Sequence, residues 1–417
     1  MNVKNWIIGH EGIDNQSNVL WNIIGSSVYA LSSMILTYLT IRIVGVDEGG
    51  LFAIGLTLAQ MFVYFAYYEM RNYQVTDAKD KYTFNEYHTT KIICCVMMMV
   101  ISCLYAICKN YDGYKSAIVI LVCFYRMLDG YADLYEAQFH NKGRLDLAGK
   151  SMTFRTILTV VVYFGILIAT NNLMYSLVAA NVFGIIGILI FNIWIIPDYG
   201  TLRLSYNGKH ILGIIKDCFP LFIGMFLWTY LLSASRMAVD NVLTSADQSY
   251  YQVLFMPVSV INLFAGFLIR PSLLTLTEHY ANGNKEAFWK IIFKILFVLT
   301  CISIACMILA YLIGIPVLQL IAGCDLSNYR TLFVFLICAG GFNSIAYSLY
   351  FVLTIFRNRF AIIFGYGVAT IVAFLLSDYL TRIYGLWGAA FSYFVSIIVL
   401  LFVFVMWLVF VANKDNK

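Results

Sequence analysis

The chain of 417 residues is 61% hydrophobic and only 12% charged, with a mean hydropathy of +0.81 and a formal net charge of +5. A soluble protein of this size carries about 25% charged residues, so a water-soluble domain is excluded. Apolar runs approaching the ~20 residues that cross a bilayer as helix recur along the whole length, while the ~10-residue alternation of a membrane barrel is missing. The expected fold class is an all-α polytopic membrane protein. Its modest positive charge suits anionic lipid and not nucleic acid.

Hydropathy and length predict twelve spans, near 18–44, 49–68, 91–108, 115–137, 152–170, 173–196, 218–243, 251–275, 291–315, 329–356, 360–377 and 385–411. The polar residues ahead of the first span lack the basic region and cleavage site of a signal peptide, so that span is expected to stay. Basic residues alternate between connections. With both termini inside, one side holds Lys4, Arg71, Lys79, Lys81, Lys91, Lys142, Arg144, Lys150, Arg203, Lys209, Lys216, Lys285, Lys290, Lys294, Arg357, Arg359, Lys414 and Lys417. The other side holds Lys109, Lys115, Arg330 and Arg382. The positive-inside rule therefore predicts cytoplasmic termini.

The outer connections are short. The longest, near 314–328, reads "GIPVLQLIAGCDLSN" and leaves no external domain for chemistry. The longest inner one near mid-chain, "PDYGTLRLSYNGKHILGIIK" at 197–216, separates six spans from six. That even split predicts two six-helix lobes, 1–200 and 201–417, on the internal-repeat plan of secondary transporters. "TIRIVGVDEGGLFAIGLTL" after the first span echoes "ASRMAVDNVLTSADQSYYQVLFMP" after the seventh. Pro257 falls inside the eighth span, where a missing backbone donor should bend the helix and make a hinge.

The fourth span ends in "YRMLDGYADLYEAQF", 125–139. At 3.6 residues per turn, Arg126, Asp129, Asp133 and Glu136 fall within an arc of about 80°. A charge at the bilayer centre costs ~2.5–3.5 kcal/mol on translocon scales, so this stripe must face helices or water. It is either a functional site or a self-neutralising ladder, with Arg126 paired to Asp129 at i+3. Arg42, Arg155, Arg236 and Arg270 also lie in spans, whereas the lysines that these bounds take in, Lys91, Lys115 and Lys294, sit within a turn of a span end and are counted with the connections. Arginine grips phosphate with a planar fork and stays charged, which points to an anionic cargo. The plainer readings are an Arg236–Asp240 ion pair at i, i+4 and snorkelling of Arg42, Arg155 and Arg270 to the interfaces. Tyr125, Tyr131, Tyr135, Trp228 and Tyr230 share helices with these charges and suit sugar rings, though membrane packing explains each as well.

Catalytic and metal signatures are missing. Most of the ten cysteines lie in apolar runs, without zinc spacing. His10, His88, His140, His210 and His279 fall in inner segments or at their edges. Glu136 and His140, at i and i+4, do not make a metal site. "VDEGG", 46–50, reads as a solvated outer turn. No phosphate-binding glycine loop, GxSxG or HExxH occurs, so neither a cofactor nor an ATPase is expected.

Several stretches resemble a known family. "YYQVLFMPVSVINLFAGFLIRPSLLTLTEHYANGNKEAFWKII" at 250–292, "LSNYRTLFVFLICAGGFNSIAYSLYFVLTIFRNR" at 326–359, "IYGLWGAAFSYF" at 383–394 and "RNYQVTDAKDKYTFNEYHTTK" at 71–91 resemble polysaccharide flippases. These form the Wzx-like branch of the multidrug/oligosaccharidyl-lipid/polysaccharide (MOP) exporter superfamily. The resemblance implies a V-shaped pair of six-helix lobes around a cationic cavity in a bacterial inner membrane. It implies flipping of undecaprenyl-pyrophosphate-linked oligosaccharide, with membrane lipids, a polymerase and glycosyltransferases as further partners. On that reading Arg126, Arg236, Arg42, Arg270 and Arg155 bind pyrophosphate, and Asp129, Asp133 and Asp240 position arginine or carry protons. The alternatives are a cation-coupled multidrug exporter of the same superfamily and a membrane polysaccharide polymerase or ligase. The first span offers Asn22 and no acid, against the drug exporter, and the short outer loops oppose the enzyme. A flippase of the peptidoglycan precursor would carry extra spans after the twelfth.

Overall fold

Thirteen α-helices carry the described residues of the computed structural model, 15–76, 81–356 and 358–414, and no strand occurs among them. In chain order they are α1 (Asn15–Val44), α2 (Val46–Tyr67), α3 (Met70–Thr76), α4 (Phe84–Cys108), α5 (Gly113–Asn141), α6 (Leu145–Thr170) and α7 (Leu173–Ile188). These are followed by α8 (Gly208–Val242), α9 (Ser245–Ala281), α10 (Lys285–Leu309), α11 (Ile315–Ala322), α12 (Arg330–Ile355) and α13 (Arg359–Lys414). Ten stretches among the described residues are long and apolar enough to cross a membrane, so the chain is a multi-pass helical membrane protein. Helix α5 is 29 residues long and carries the charged stripe. Helix α13 spans 56 residues and breaks at Gly385, whose φ of 59° only glycine adopts freely. Lys4, His10, Lys79, Arg357 and Lys417, counted in the sequence, lie outside the described residues.

Local chemistry sets the helix ends. Thr83 and Glu86 form a capping box that starts α4 at Phe84. Asp112 caps α5 by accepting from the Lys115 amide at 2.8 Å. Thr244 and Asp247 repeat the capping box at α9.

Several sequence expectations change. Lys91, assigned to an inner connection, sits two turns into α4 and is fully buried, because the capping box starts the helix earlier than hydropathy does. Only the first part of 197–216 is a connection, since α8 begins at Gly208. The expected outer loop 314–328 is mostly helix, with α10 continuing through a π-turn at Ala310–Gly314 into α11. Asp47 and Glu48 are not a loop pair. Gly45 makes the whole turn at φ 87°, and both acids lie in the first turn of α2, where the helix dipole favours them. Glu48 accepts from the Tyr114 hydroxyl at 2.9 Å.

The chain divides into two compact units, Met1–Phe226 and Leu227–Lys417, with the division inside α8. In the first, α1 packs along α6, and α5 is central, touching α2, α3, α4, α6 and α7. Small residues permit the close crossings that membrane helices use. A Cβ on Gly149 of α6 would come within 2.2 Å of the Trp21 carbonyl oxygen of α1, and one on Gly130 of α5 within 2.5 Å of Ala66 Cβ of α2. In the second unit α12 packs against α9, α10 and α13. Helix α9 runs through Pro257 and Pro271.

Candidate functional site

The charged stripe of α5 lies inside the first unit, in an ion-pair network drawn from four helices. Arg126 is 2% exposed, the largest side chain among the fully buried ones. Its Nη1 donates to Asp129 Oδ2 at 3.0 Å and its Nη2 to Ser33 Oγ of α1 at 2.5 Å. The guanidinium lies 5.1 Å from the Tyr29 ring centroid and 5.5 Å from that of Tyr125. Arg155 of α6 donates to the other oxygen of Asp129 and, through Nη2, to Glu136 Oε1 at 3.3 Å.

The network continues through residues that the sequence placed in inner connections. Arg71 Nη1, on α3, donates to Glu136 Oε2 at 3.3 Å and to Asp133 Oδ1 at 3.1 Å. Lys91 Nζ, on α4, donates to Asp133 Oδ2 at 3.3 Å and to the Tyr67 carbonyl at 3.2 Å. Four cations thus face three carboxylates: Arg71, Lys91, Arg126 and Arg155 against Asp129, Asp133 and Glu136. Burying such charges is tolerated only when they are paired and hydrogen-bonded.

A cavity of about 260 Å³ opens on the network. Tyr29, Tyr64, Tyr67, Glu69, Asn72 and Met152 line it together with Arg71, Asp129, Asp133, Glu136 and Arg155. Arg126 stands behind Asp129, off the wall. Glu69 on the wall is engaged by the Asn72 amide at 2.7 Å. The arrangement presents arginine N–H groups and carboxylates to a polar space inside apolar helices, a setting for a charged, hydrogen-bonding guest.

The ladder between Arg126 and Asp129 is present as the i+3 spacing suggested. Snorkelling of Arg155 is not, because its guanidinium is buried between two carboxylates. Arg42 is exposed in the last turn of α1, where a cation suits the helix dipole. In the second unit, Arg236 is buried over the Phe255 ring at 4.9 Å and donates to Ser233 Oγ at 3.3 Å. Asp240 lies one turn further along α8, half-buried. Arg270 is exposed and donates to the Tyr347 hydroxyl at 3.1 Å. Pro257 lies within α9. Trp228 packs on Tyr347 and Tyr366, and Tyr131 takes hydrogen bonds with His88 and Tyr135.

Arg71 and Lys91 escaped the sequence reading. For Lys91 a signal existed: Thr83-x-x-Glu86 is a helix-start signature that places residue 91 inside α4. For Arg71 none did. The helix breaks after α2 at Tyr68 and Glu69, at φ 47° and 54°, without the glycine that usually marks such a conformation.

No family model matches the chain. A capsular polysaccharide biosynthesis protein of Staphylococcus aureus, CapF, is 21% identical over 392 residues, covering 91% of this chain and 95% of that one. Among solved structures, an inward closed conformation of the lipid II flippase MurJ superposes with a TM-score of 0.71 at 14% identity, over 94% of this chain and 87% of that one. An inward-facing multidrug resistance MATE transporter of the MOP superfamily superposes at 0.58 with 13% identity, over 100% of this chain and 99% of that one. The chain has the fold shared by MurJ and the MATE transporter, and its sequence is similar over nearly its whole length to a capsular polysaccharide biosynthesis protein.

Proposed function

We propose that the protein flips a pyrophosphate-linked oligosaccharide lipid from the cytoplasmic to the outer leaflet of a bacterial inner membrane, for the synthesis of a surface polysaccharide. The observation that carries this reading is the buried arginine-rich network beside a polar cavity, in a chain similar over nearly its whole length to a capsule biosynthesis protein. A pyrophosphate cannot cross hydrocarbon bare, and arginine forks supply the hydrogen bonds it loses on leaving water. Arg155 on the cavity wall, Arg126 behind it, and Arg42, Arg236 and Arg270 elsewhere are the candidate stations. Asp129, Asp133 and Asp240 position arginines or carry protons. Pro257 is the candidate hinge of a rocking motion between lobes 1–200 and 201–417, with both termini cytoplasmic. Polymerase and glycosyltransferases would act on either side of the transport step.

The test is surface glycan display in cells that lack their own flippase. Restored display by this chain supports the reading. Failure of the well-expressed chain, across hosts making different glycans, removes it. An Arg126→Ala variant that inserts normally is expected to lose display, and Arg126→Lys to recover part of it, since a point charge replaces a fork.

A further inference from the structure

We propose that Arg71 is a displaceable counter-ion. An anion entering the cavity draws it from Glu136 and Asp133, and α3 passes that change to α8. This rests on the flippase reading and names the residue that senses the pyrophosphate.

Charge counting singles out Arg71. Without it, each carboxylate keeps a cation: Asp129 has Arg126 and Arg155, Glu136 has Arg155, and Asp133 has Lys91. Three cations then balance these three acids, and Glu69, the fourth carboxylate on the wall, is held by the Asn72 amide, so Arg71 can leave without baring a paired acid. Its exposure agrees. The Arg71 side chain is 27% exposed on the cavity wall, whereas those of Lys91, Arg126 and Arg155 are 5% or less. A phosphate reaching the cavity therefore meets one arginine that can turn towards it without stranding a buried acid. The two forks of a guanidinium let it take up a diphosphate while α3 moves.

The mounting of Arg71 supplies the transmission. Tyr68 and Glu69 both hold left-handed backbone, a conformation that costs of order 1–3 kcal/mol per residue and marks segments held by their surroundings. Tyr68 stacks on Phe222 of α8, with centroids 4.5 Å apart and planes at 12°. Tyr73, one turn along α3, donates to Asp217 Oδ2 of α8 at 3.1 Å, and Lys81 and Tyr82 reach the same oxygen at 2.7 and 2.9 Å. Thus α3 is tied to the ion network through Arg71 and to α8 through Tyr68 and Tyr73. Helix α8 is the element that continues from the first unit into the second.

The test is hydrogen–deuterium exchange on the full chain in nanodiscs, with undecaprenyl pyrophosphate or inorganic pyrophosphate added. In the wild type, saturating lipid pyrophosphate should raise exchange in 68–76 and 208–222 together. The same change with inorganic pyrophosphate would support the site and assign it to the diphosphate alone. Its absence would assign it to the lipid-borne form. Arg71→Gln should bind the lipid roughly tenfold more weakly and show no ligand-dependent change at 208–222, even at saturation. Arg71→Lys, which keeps the charge, should show a reduced change. Phe222→Ala should keep affinity within about threefold and the change at 68–76, while losing most of that at 208–222. An Arg71→Gln protein that binds and responds like the wild type overturns the proposal, as does a saturated wild type whose two segments stay unchanged. A wild type that binds neither probe sinks the flippase reading itself.

Discussion

Glu136 of α5 accepts from two arginines at once, Arg155 through one oxygen and Arg71 through the other, each at 3.3 Å. The carboxylate thereby ties α6 and α3 to α5. Removing one partner of a buried pair leaves an uncompensated charge and costs about 3–5 kcal/mol. Glu136→Ala should lower the thermal unfolding temperature of the detergent-solubilised protein accordingly. Glu136→Gln should lose less, because its carbonyl still accepts one hydrogen bond. Equal melting of Glu136→Ala and wild type would show that the network is not a structural clamp.

Arg126 and Asp129 are coupled, and a double-mutant cycle measures how strongly. Asp129→Asn alone should be worse than Arg126→Met alone, since it also strips Arg155 of a carboxylate. Combining the two should cost less than the sum, with an interaction of about 0.5–3 kcal/mol. Additive effects in thermal or denaturant unfolding would argue against a shared pair.

The crossing of α1 and α6 depends on Gly149. A methyl there meets backbone atoms of Trp21, which cannot rotate away. Gly149→Ala should destabilise by about 1–3 kcal/mol. Gly165, on the same helix with open space around it, should tolerate alanine. Indistinguishable stability of the two variants would contradict the close crossing.

The sequence carried much of this site, unevenly. Arg126, Asp129, Asp133 and Glu136 were legible because helical geometry alone puts them on one face. That Arg126 closes on Asp129 followed from their spacing. Arg155 was placed too near the interface, since hydropathy says nothing about which carboxylate waits on a neighbouring helix. Lys91 was read as a loop charge because counting basic residues at span ends ignores the cap that moves the helix start to Phe84. Arg71 depended on a left-handed break at Tyr68–Glu69, where Tyr68 is stacked on Phe222. The fold class followed from apolar runs, which report burial in lipid directly, whereas α11 and the first turns of α8 were missed because short or amphipathic helices lack that signal.

The most direct test of the account uses vesicles containing the purified chain and a labelled undecaprenyl-pyrophosphate oligosaccharide in the inner leaflet. The fraction open to a glycan-modifying enzyme outside is followed with time. The wild type should expose the lipid well above protein-free vesicles, and Arg155→Ala at equal incorporation should slow exposure roughly tenfold or more. Exposure no faster than in protein-free vesicles, together with transport of an organic cation down an ion gradient, would contradict it and favour a drug exporter.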